Sequence, residues 1–233
     1  MVVMRYIYFH PLFDERKCAH RFSYQLKNTF LAAGFALERF DYTGTAEAPG
    51  EFADISLQSL REDVARYIDG DQVCLVGLRY GATLALDYCS GGQGPVRNLV
   101  LLEPVVDGAR YVDYLYRKQH IKNLMTGESP RAPQDNGYEN IEGYKTSTTL
   151  IEQIRNFRLA GPAGERAVTN SVRIVQISAQ SKLRQDIAGL AKSLEGSVQQ
   201  LLVECVQMPV FWERIPGSDY TELTQRVLWW CRG

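Results

Sequence analysis

The residues best placed to do chemistry are Arg79 and the two glycines on either side of it. Gly77 ends the apolar run 72–77, Gly81 lies four residues later, and a stretch with helical character begins there. Small residues at this spacing let a strand turn sharply into a helix, because the two elements then come into close contact. The pattern therefore places the Arg79 guanidinium at a helix N-terminus, which also favours bound anions.

This position leaves two interpretations of Arg79 open. In the first, Arg79 binds a carboxylate, phosphate or sulfate of a ligand, next to the backbone N–H groups of Tyr80 and Leu12. In the second, it forms an internal ion pair with Glu15 or Glu103, because a buried arginine is rarely left unpaired. Both hold if Glu15 orients an arginine that also contacts a ligand.

Other side chains are candidates for the same site. His10 ends the first apolar segment and is a candidate acid–base group, although such a histidine often only satisfies the local backbone. Phe211 and Trp212 lie in a late loop and either wall a pocket or pack in the core. Glu213 follows them, where a solvated carboxylate is expected. Three tyrosines in the middle of the chain either line a pocket or form local core: Tyr111, Tyr114 and Tyr116.

Alternating apolar and amphipathic segments predict the elements that position these residues. Six short apolar runs have the length of buried strands: 5–10, 37–42, 72–77, 97–104, 171–178 and 200–206. Amphipathic stretches predict helices at 20–33, 56–69, from Gly81 onward, and at 147–158, 183–194 and about 218–230. Strands that alternate with helices indicate an α/β fold, in which a mostly parallel sheet of six strands has helices on both faces.

The alternation is interrupted between residues 108 and 165. This segment contains a polar stretch at 128–137 and a helix at 147–158, and no part of it has the pattern of a strand. We therefore predict one domain, with a core of residues 1–107 and 166–233 and a helical insertion at 108–165 after the fourth strand.

The elbow glycines and the element order together resemble the α/β-hydrolases. In those proteins a strand ends in G-x-S-x-G and turns into a helix, and Gly77–Gly81 matches this pattern except that Arg79 replaces the serine. The segment His10–Leu12 lies where such hydrolases donate the second oxyanion N–H, and residues 41–46 resemble their D-x-x-G-x-G-x-S loop. The resemblance implies an α/β-hydrolase fold in which residues 108–165 form a lid. It also implies that Arg79, as the middle residue of the elbow, has an unusual backbone conformation that directs its side chain into a pocket.

The chain is similar to a narrower group, the exosortase A system-associated hydrolases of bacterial exopolysaccharide gene clusters. That group has arginine in its elbow, with the pattern G-L-R-L-G-A. The matching positions are Gly77–Ala82, Pro104–Gly108, Glu142–Tyr144, Pro209–Trp212, Glu15 and Arg21. The sequence departs from the group at His10, where proline is usual, and at Glu103, where glutamine is expected. The resemblance implies a link to exopolysaccharide or exosortase-dependent processing.

The residues of a conventional serine hydrolase are missing from the places where they are expected. The elbow carries Arg79, and residues 178–181, where the acid is expected, read Ser-Ala-Gln-Ser. The base should follow the last strand, but no histidine occurs after His120. Loss of even one triad member costs several orders of magnitude in rate. We therefore do not expect a Ser-His-Asp mechanism.

The composition excludes several other function classes. The 233 residues are 45% hydrophobic and 23% charged, with 26 Lys+Arg against 27 Asp+Glu, as in an ordinary globular domain. Without a basic excess or a basic run, we expect no nucleic-acid partner. The five cysteines have no C-x-x-C spacing, so we expect no metal and no cofactor. No apolar stretch is long enough for a signal peptide or a membrane span, and we expect a cytoplasmic location.

Two functional hypotheses follow. The first is a non-catalytic or atypical hydrolase-like protein that binds a small anionic or acyl ligand at Arg79. The alternative is an esterase- or thioesterase-type hydrolase, in which Glu15, Glu103 or His10 activates water and Arg79 stabilises the developing negative charge. An arginine that is fully paired favours the first hypothesis, and a free carboxylate beside Arg79 favours the second.

Overall fold

The computed structural model describes residues 4–68, 72–92, 96–127, 137–161, 169–213 and 219–232. The strands within these ranges are β1 (Arg5–Phe9), β2 (Leu37–Arg39), β3 (Val73–Leu78), β4 (Val96–Leu102), β5 (Tyr138–Ile141), β6 (Tyr144–Ser147), β7 (Thr169–Ser178) and β8 (Val198–Gln207). The α-helices are α1 (Phe13–Cys18), α2 (His20–Ala32), α3 (Leu57–Tyr67), α4 (Tyr80–Ser90), α5 (Gly108–Thr126), α6 (Thr148–Asn156), α7 (Gln185–Leu194) and α8 (Thr221–Arg232).

Six of the strands form one sheet in the order β2-β1-β3-β4-β7-β8, and all neighbouring pairs in it are parallel. This confirms the predicted parallel sheet and its six strands. The chain passes from β1 outward to β2 and then returns to place β3 on the other side of β1. At such a switch point the loops that follow β1 and β3 diverge and leave a crevice at the carboxyl ends of the strands. His10 and Arg79 follow these two strands.

The strands at the centre of the sheet are apolar throughout because they are covered on both faces. Every residue of β3 is buried, and so are all but one of β4. On one face, Tyr8 and Val76 of the sheet pack with Phe22 and Phe30 of α2 and with Trp230 of α8. Burial of large aromatic and aliphatic side chains at about 25 cal/mol per Å² of apolar surface stabilises this arrangement.

The chain divides into two compact units. One comprises Met1–Phe40, Val64–Val106 and Leu159–Gly233 and contains the six-stranded sheet. The other comprises Asp41–Asp63 and Asp107–Arg158 and contains α5, α6 and the strand pair β5–β6. The predicted role of residues 108–165 as a lid stays a prediction. Parts of four predicted features lie outside the described residues: the end of the helix 56–69 at Asp69, all of the polar stretch 128–137 except Gly137, the lid's end at 162–165 and the start of the last helix at Ser218.

The prediction that residues 108–165 contain no strand is wrong. β5 and β6 form an antiparallel hairpin in which Ile141 faces Tyr144. The two residues between them, Glu142 and Gly143, have φ angles of 53° and 96°. A two-residue turn with positive φ at both positions matches the twist of the adjoining strands. The Glu-Gly pair did not suggest this turn, since glutamate rarely adopts positive φ.

Candidate functional site

The turn between β3 and α4 has the strained geometry that the resemblance to a hydrolase elbow implies. Arg79 has φ 55° and ψ −123°, a conformation that costs a non-glycine residue about 1–3 kcal/mol. Its N–H donates to the carbonyl of Leu102 at 2.9 Å, and its carbonyl accepts from the N–H of Ala82 at 3.0 Å. These bonds tie the turn to β4 and to the first turn of α4, so the surrounding structure imposes the strain.

The glycines on either side of Arg79 are required for space. A Cβ on Gly77 would collide with the backbone of Ala82, and one on Gly81 would collide with the carbonyl oxygens of Phe9 and His10. Gly81 therefore lets the start of α4 lie directly against the end of β1. This contact brings the loop after β1 and the loop after β3 to the same place.

Arg79 forms an internal ion pair with Glu15. The Nε of Arg79 donates to Oε1 of Glu15 at 3.0 Å. The arginine side chain is 12% exposed and the glutamate side chain is not exposed at all. The guanidinium carbon of Arg79 lies 5.2 Å from the ring centroid of Trp212, so the indole covers the cation on one face. Of the two carboxylates that the sequence offered to Arg79, the structure thus selects Glu15.

Glu15 reaches Arg79 because it lies on a short helix that the sequence did not reveal. Helix α1 begins at Phe13, which has a φ of 54°, directly after the buried Leu12. Six residues are too few to establish a hydrophobic period, so the helix gave no signal of its own. The segment nevertheless buries Phe13, Glu15 and Cys18, which holds the carboxylate against the elbow.

Glu103 belongs to a different pair. It is 2% exposed, has a φ of 47° and follows β4. One carboxylate oxygen accepts the N–H of Ile177 at 2.7 Å, and the other is bonded to a guanidinium nitrogen of Arg184. Burial lowers the pKa of Arg184, but its attraction to Glu103 and Asp186 outweighs this effect, so the pKa is raised overall. Glu103 therefore connects the ends of β4 and β7 and is engaged on both oxygens.

The segment after β7, where a triad acid was expected, is held by a buried glutamine. Gln176 has no exposed surface. Its Oε1 accepts the N–H of Arg184 at 2.7 Å, and its Nε2 donates to the carbonyl of Lys182 at 2.9 Å. Sequence reasoning missed both Gln176 and Arg184, because a single polar residue in an apolar strand does not show which loop it will bond.

The remaining candidates on the sheet unit are placed among aromatic residues. His10 is 5% exposed, and its ring meets the ring of Tyr8 edge-on at 4.9 Å. Tyr80, the first residue of α4, is fully buried. The ring centroid of Phe211 lies 4.9 Å from that of Phe22, so Phe211 packs in the core. Its neighbour Trp212 instead faces Arg79. Glu213 and Arg21 are exposed.

The three tyrosines of the second unit pack within it. Tyr111 is 3% exposed and stacks with Tyr114 at 6.3 Å between ring centroids. Tyr116 donates to the carboxylate of Glu139 at 2.7 Å. Burial, together with this hydrogen bond, raises the pKa of Tyr116 to about 12. These contacts account for the tyrosines as local packing residues.

The described ranges contain neither a metal-binding cluster nor a helix that could span a membrane. No group of three or more His, Cys, Asp or Glu residues in the described ranges is arranged to hold a metal ion. Across those ranges, no helix combines the length and apolar character that a membrane crossing requires. The arrangement that remains is a fixed, nearly buried cation at the end of β3, oriented by a carboxylate and covered by an indole.

No family model matches this chain, and neither does any curated protein. Solved structures do match. An esterase from Pyrococcus furiosus matches 98% of this chain over 81% of its own length, with a TM-score of 0.64 and 12% identity. Alpha/beta hydrolase domain-containing protein 10 from mouse matches 97% of this chain over 89% of its own length, with a TM-score of 0.57 and 15% identity. Est1E from Butyrivibrio proteoclasticus, solved with ferulic acid bound, matches 96% of this chain over 85% of its own length, with a TM-score of 0.57 and 13% identity. The chain therefore has the α/β-hydrolase fold.

Proposed function

We propose that this chain is a non-catalytic α/β-hydrolase-fold protein that binds a small anionic or acyl ligand. The observation that carries the proposal is the ion pair of Arg79 with the buried Glu15 under the ring of Trp212, at the turn where the resemblance to hydrolases puts the nucleophile. An arginine cannot act as the acyl-accepting nucleophile, and no histidine follows His120 to act as base. The fold is thus retained without the groups that perform its usual chemistry.

The strained elbow supports a binding role for the site. The conformation at Arg79 costs free energy, yet the turn holds an arginine at the crevice between the ends of β1 and β3. Ligands of open parallel sheets bind in such crevices. A planar guanidinium suits carboxylate and phosphate groups, and Glu15 fixes its orientation through Nε. An acyl chain carrying a carboxylate, or a phosphorylated sugar, has the matching chemistry.

The alternative, a hydrolase that activates water with a carboxylate, finds less support. It requires Glu15 or Glu103 to accept a proton from water beside Arg79. Glu15 accepts from Arg79 itself, and Glu103 accepts from Arg184 and from the N–H of Ile177. Both carboxylates are thus already engaged by donors of the protein itself, and each of them is paired with an arginine.

The biological setting of the proposal rests on the resemblance to the exosortase A system-associated hydrolases. The segments that carry it include the elbow Gly77–Ala82 and the segment Pro209–Trp212, whose last residue covers Arg79. We therefore propose a supporting role in exopolysaccharide or exosortase-linked processing. All five cysteines are free thiols, which supports a reducing cytoplasmic location.

Two measurements test this function together. A fluorophosphonate serine-hydrolase probe should leave the protein unlabelled. A thermal-shift screen of small organic acids and sugar phosphates should yield a compound that raises the melting temperature, since a ligand at 100 times its Kd adds about 2.7 kcal/mol of stability. The shift should be lost in Arg79→Ala, reduced in Arg79→Lys and kept in Lys192→Ala, which removes an exposed lysine on α7.

Two results would contradict the proposal. Probe labelling that persists in Arg79→Ala would reveal a nucleophile outside the elbow. A stabilising ligand whose effect is the same in the wild-type protein and in both Arg79 variants would place the binding site elsewhere.

A further inference from the structure

The C-terminal half of α5, in the second compact unit, carries an exposed apolar face. Ile121, Leu124 and Met125 are 57%, 70% and 83% exposed. Residues spaced three and four apart lie on the same side of a helix, so these three side chains are adjacent. Elsewhere in the described residues, no three large apolar side chains with such exposure share two consecutive turns of a helix. A grouped apolar surface of this kind marks an interaction site more often than scattered residues do.

Positive charge borders this apolar face. Arg117 lies one turn before it and Lys122 lies beside it, and both are exposed. Lys118 forms an ion pair with Glu142 at 2.6 Å. No acidic residue occurs in α5 after Asp113. After Asp113, the charged residues of α5 are therefore all basic, although the formal net charge of the chain is −1.

The other half of α5 holds the exposed face in place. Tyr111, Val112 and Leu115 are buried. The helix begins at a side-chain cap, in which the carboxylate of Asp107 accepts the N–H of Arg110 at 3.0 Å. The exposed turns therefore continue a helix that is anchored in its own unit, and the apolar side chains project outward from it.

We propose that the C-terminal half of α5 binds the surface of an anionic lipid bilayer. Ile121, Leu124 and Met125 enter the boundary between headgroups and acyl chains, while Arg117 and Lys122 contact lipid phosphates. A short helical face with apolar side chains flanked by cations has this affinity. The contact lies on the surface and does not require the chain to cross the membrane.

Other occupants fit the face less well. In a second copy related by a two-fold axis, Arg117 and Lys122 of both copies would border one apolar interface, and the C-terminal half of α5 offers no acidic residue to pair with them. The hot spots of protein–protein interfaces are enriched in Trp, Tyr and Arg. The centre of this face instead consists of Ile121, Leu124 and Met125, apolar side chains of the kind that enter the boundary between headgroups and acyl chains.

Vesicle co-sedimentation tests the proposal directly. The wild-type chain should bind vesicles of phosphatidylglycerol and phosphatidylcholine, bind vesicles of phosphatidylcholine alone much more weakly, and lose affinity as salt is raised. The double variant Leu124→Gln/Met125→Gln should lower the affinity for anionic vesicles by about tenfold or more. Arg117→Gln and Lys122→Gln should each lower it by about fivefold.

Matched controls remove the same side-chain types elsewhere. Leu31→Gln removes a leucine that is 66% exposed on α2, and Lys192→Gln removes an exposed lysine on α7. Neither should change vesicle binding. Because all these side chains are exposed, far-ultraviolet circular dichroism should show the same folded content in every variant.

Three outcomes would overturn the inference. They are equal binding to neutral and anionic vesicles, binding that Leu124→Gln/Met125→Gln leaves unchanged, and absence of vesicle binding by the wild-type chain. If the wild-type chain instead self-associates in sedimentation through Leu124 and Met125, the occupant is a second copy. None of these measurements depends on Arg79, so their outcome neither supports nor contradicts the proposed ligand site.

Discussion

At the level of single residues, Arg79 is stabilised by the groups that neutralise and cover its charge. Its Nε donates to a carboxylate with no exposed surface, and Trp212 lies against the guanidinium. Moving a charge into the protein interior costs several kcal/mol unless the charge is paired and hydrogen-bonded. Arg79 and Glu15 therefore depend on each other for their stability.

We predict that Arg79→Met lowers the free energy of unfolding by about 3–5 kcal/mol, because Glu15 is then left buried without its cation. Glu15→Gln should also destabilise the protein, since Arg79 loses its counter-charge. The double variant should be more stable than the sum of the two single effects, with a coupling of about 1–3 kcal/mol. Urea denaturation of the four proteins measures this cycle. Strictly additive effects would mean that the two side chains do not interact in solution.

At the level of elements, the turn from β3 to α4 depends on glycines whose role is steric. Neither Gly77 nor Gly81 has a positive φ, whereas Arg79, midway between them, does. The glycines are needed because the start of α4 lies against the end of β1 and against its own strand. The spacing of the two glycines therefore reports a close approach between backbones.

A comparison of two glycines tests this role. Gly81→Ala should destabilise the protein by several kcal/mol, because its Cβ would collide with the carbonyl oxygens of Phe9 and His10. Gly189→Ala, in α7, should instead stabilise it by about 0.5–1 kcal/mol, since no atom lies within 4 Å of the added Cβ and alanine favours a helix. Thermal unfolding followed by circular dichroism distinguishes the two. A neutral Gly81→Ala variant would show that α4 can move away from β1 at little cost.

At the level of the whole molecule, the cysteines report on global opening. Cys18, Cys74, Cys89 and Cys231 are buried, and Cys205 is partly exposed. Burial raises the pKa of Cys89 to about 12 and, with the nearby Cys74 thiol, raises that of Cys231 well above 9.0. A thiol with a raised pKa stays protonated and unreactive at pH 8.

We predict that a thiol reagent at pH 8 modifies Cys205 first and the other four cysteines only at the rate of unfolding. The protonated thiols of Cys89 and Cys231 stabilise the fold fully at pH values below their unfolded pKa. This contribution is lost as the pH rises from about 9 toward their folded pKa values, because the unfolded chain releases these protons first. Mass spectrometry of the modified protein identifies the order in which the thiol reagent modifies the cysteines. Rapid modification of Cys89 in the folded protein would contradict the predicted order.

The sequence predicted the elements whose hydrophobic pattern is long and continuous. The four inner strands β1, β3, β4 and β7 and the elbow at Gly77–Gly81 could be predicted because burial on both faces requires nearly unbroken apolar runs. The edge strands β2 and β8 carry exposed residues and gave a weaker signal. Helix α1 and the hairpin β5–β6 were missed. Both depend on residues with positive φ that are not glycine, Phe13 and Glu142, and such conformations are imposed by packing elsewhere in the fold.

The sequence by itself determined the fold class, the arginine at the elbow and the lack of a late histidine, since these follow from residue types and local spacing. Only the tertiary structure decided which acid pairs with that arginine. Glu15 and Glu103 are both compatible with Arg79 in the sequence. In the structure, Glu15 on α1 forms an ion pair with Arg79 at the elbow, and Glu103 forms one with Arg184. Such pairings join residues far apart in the chain, so their choice depends on how the strand ends and loops meet.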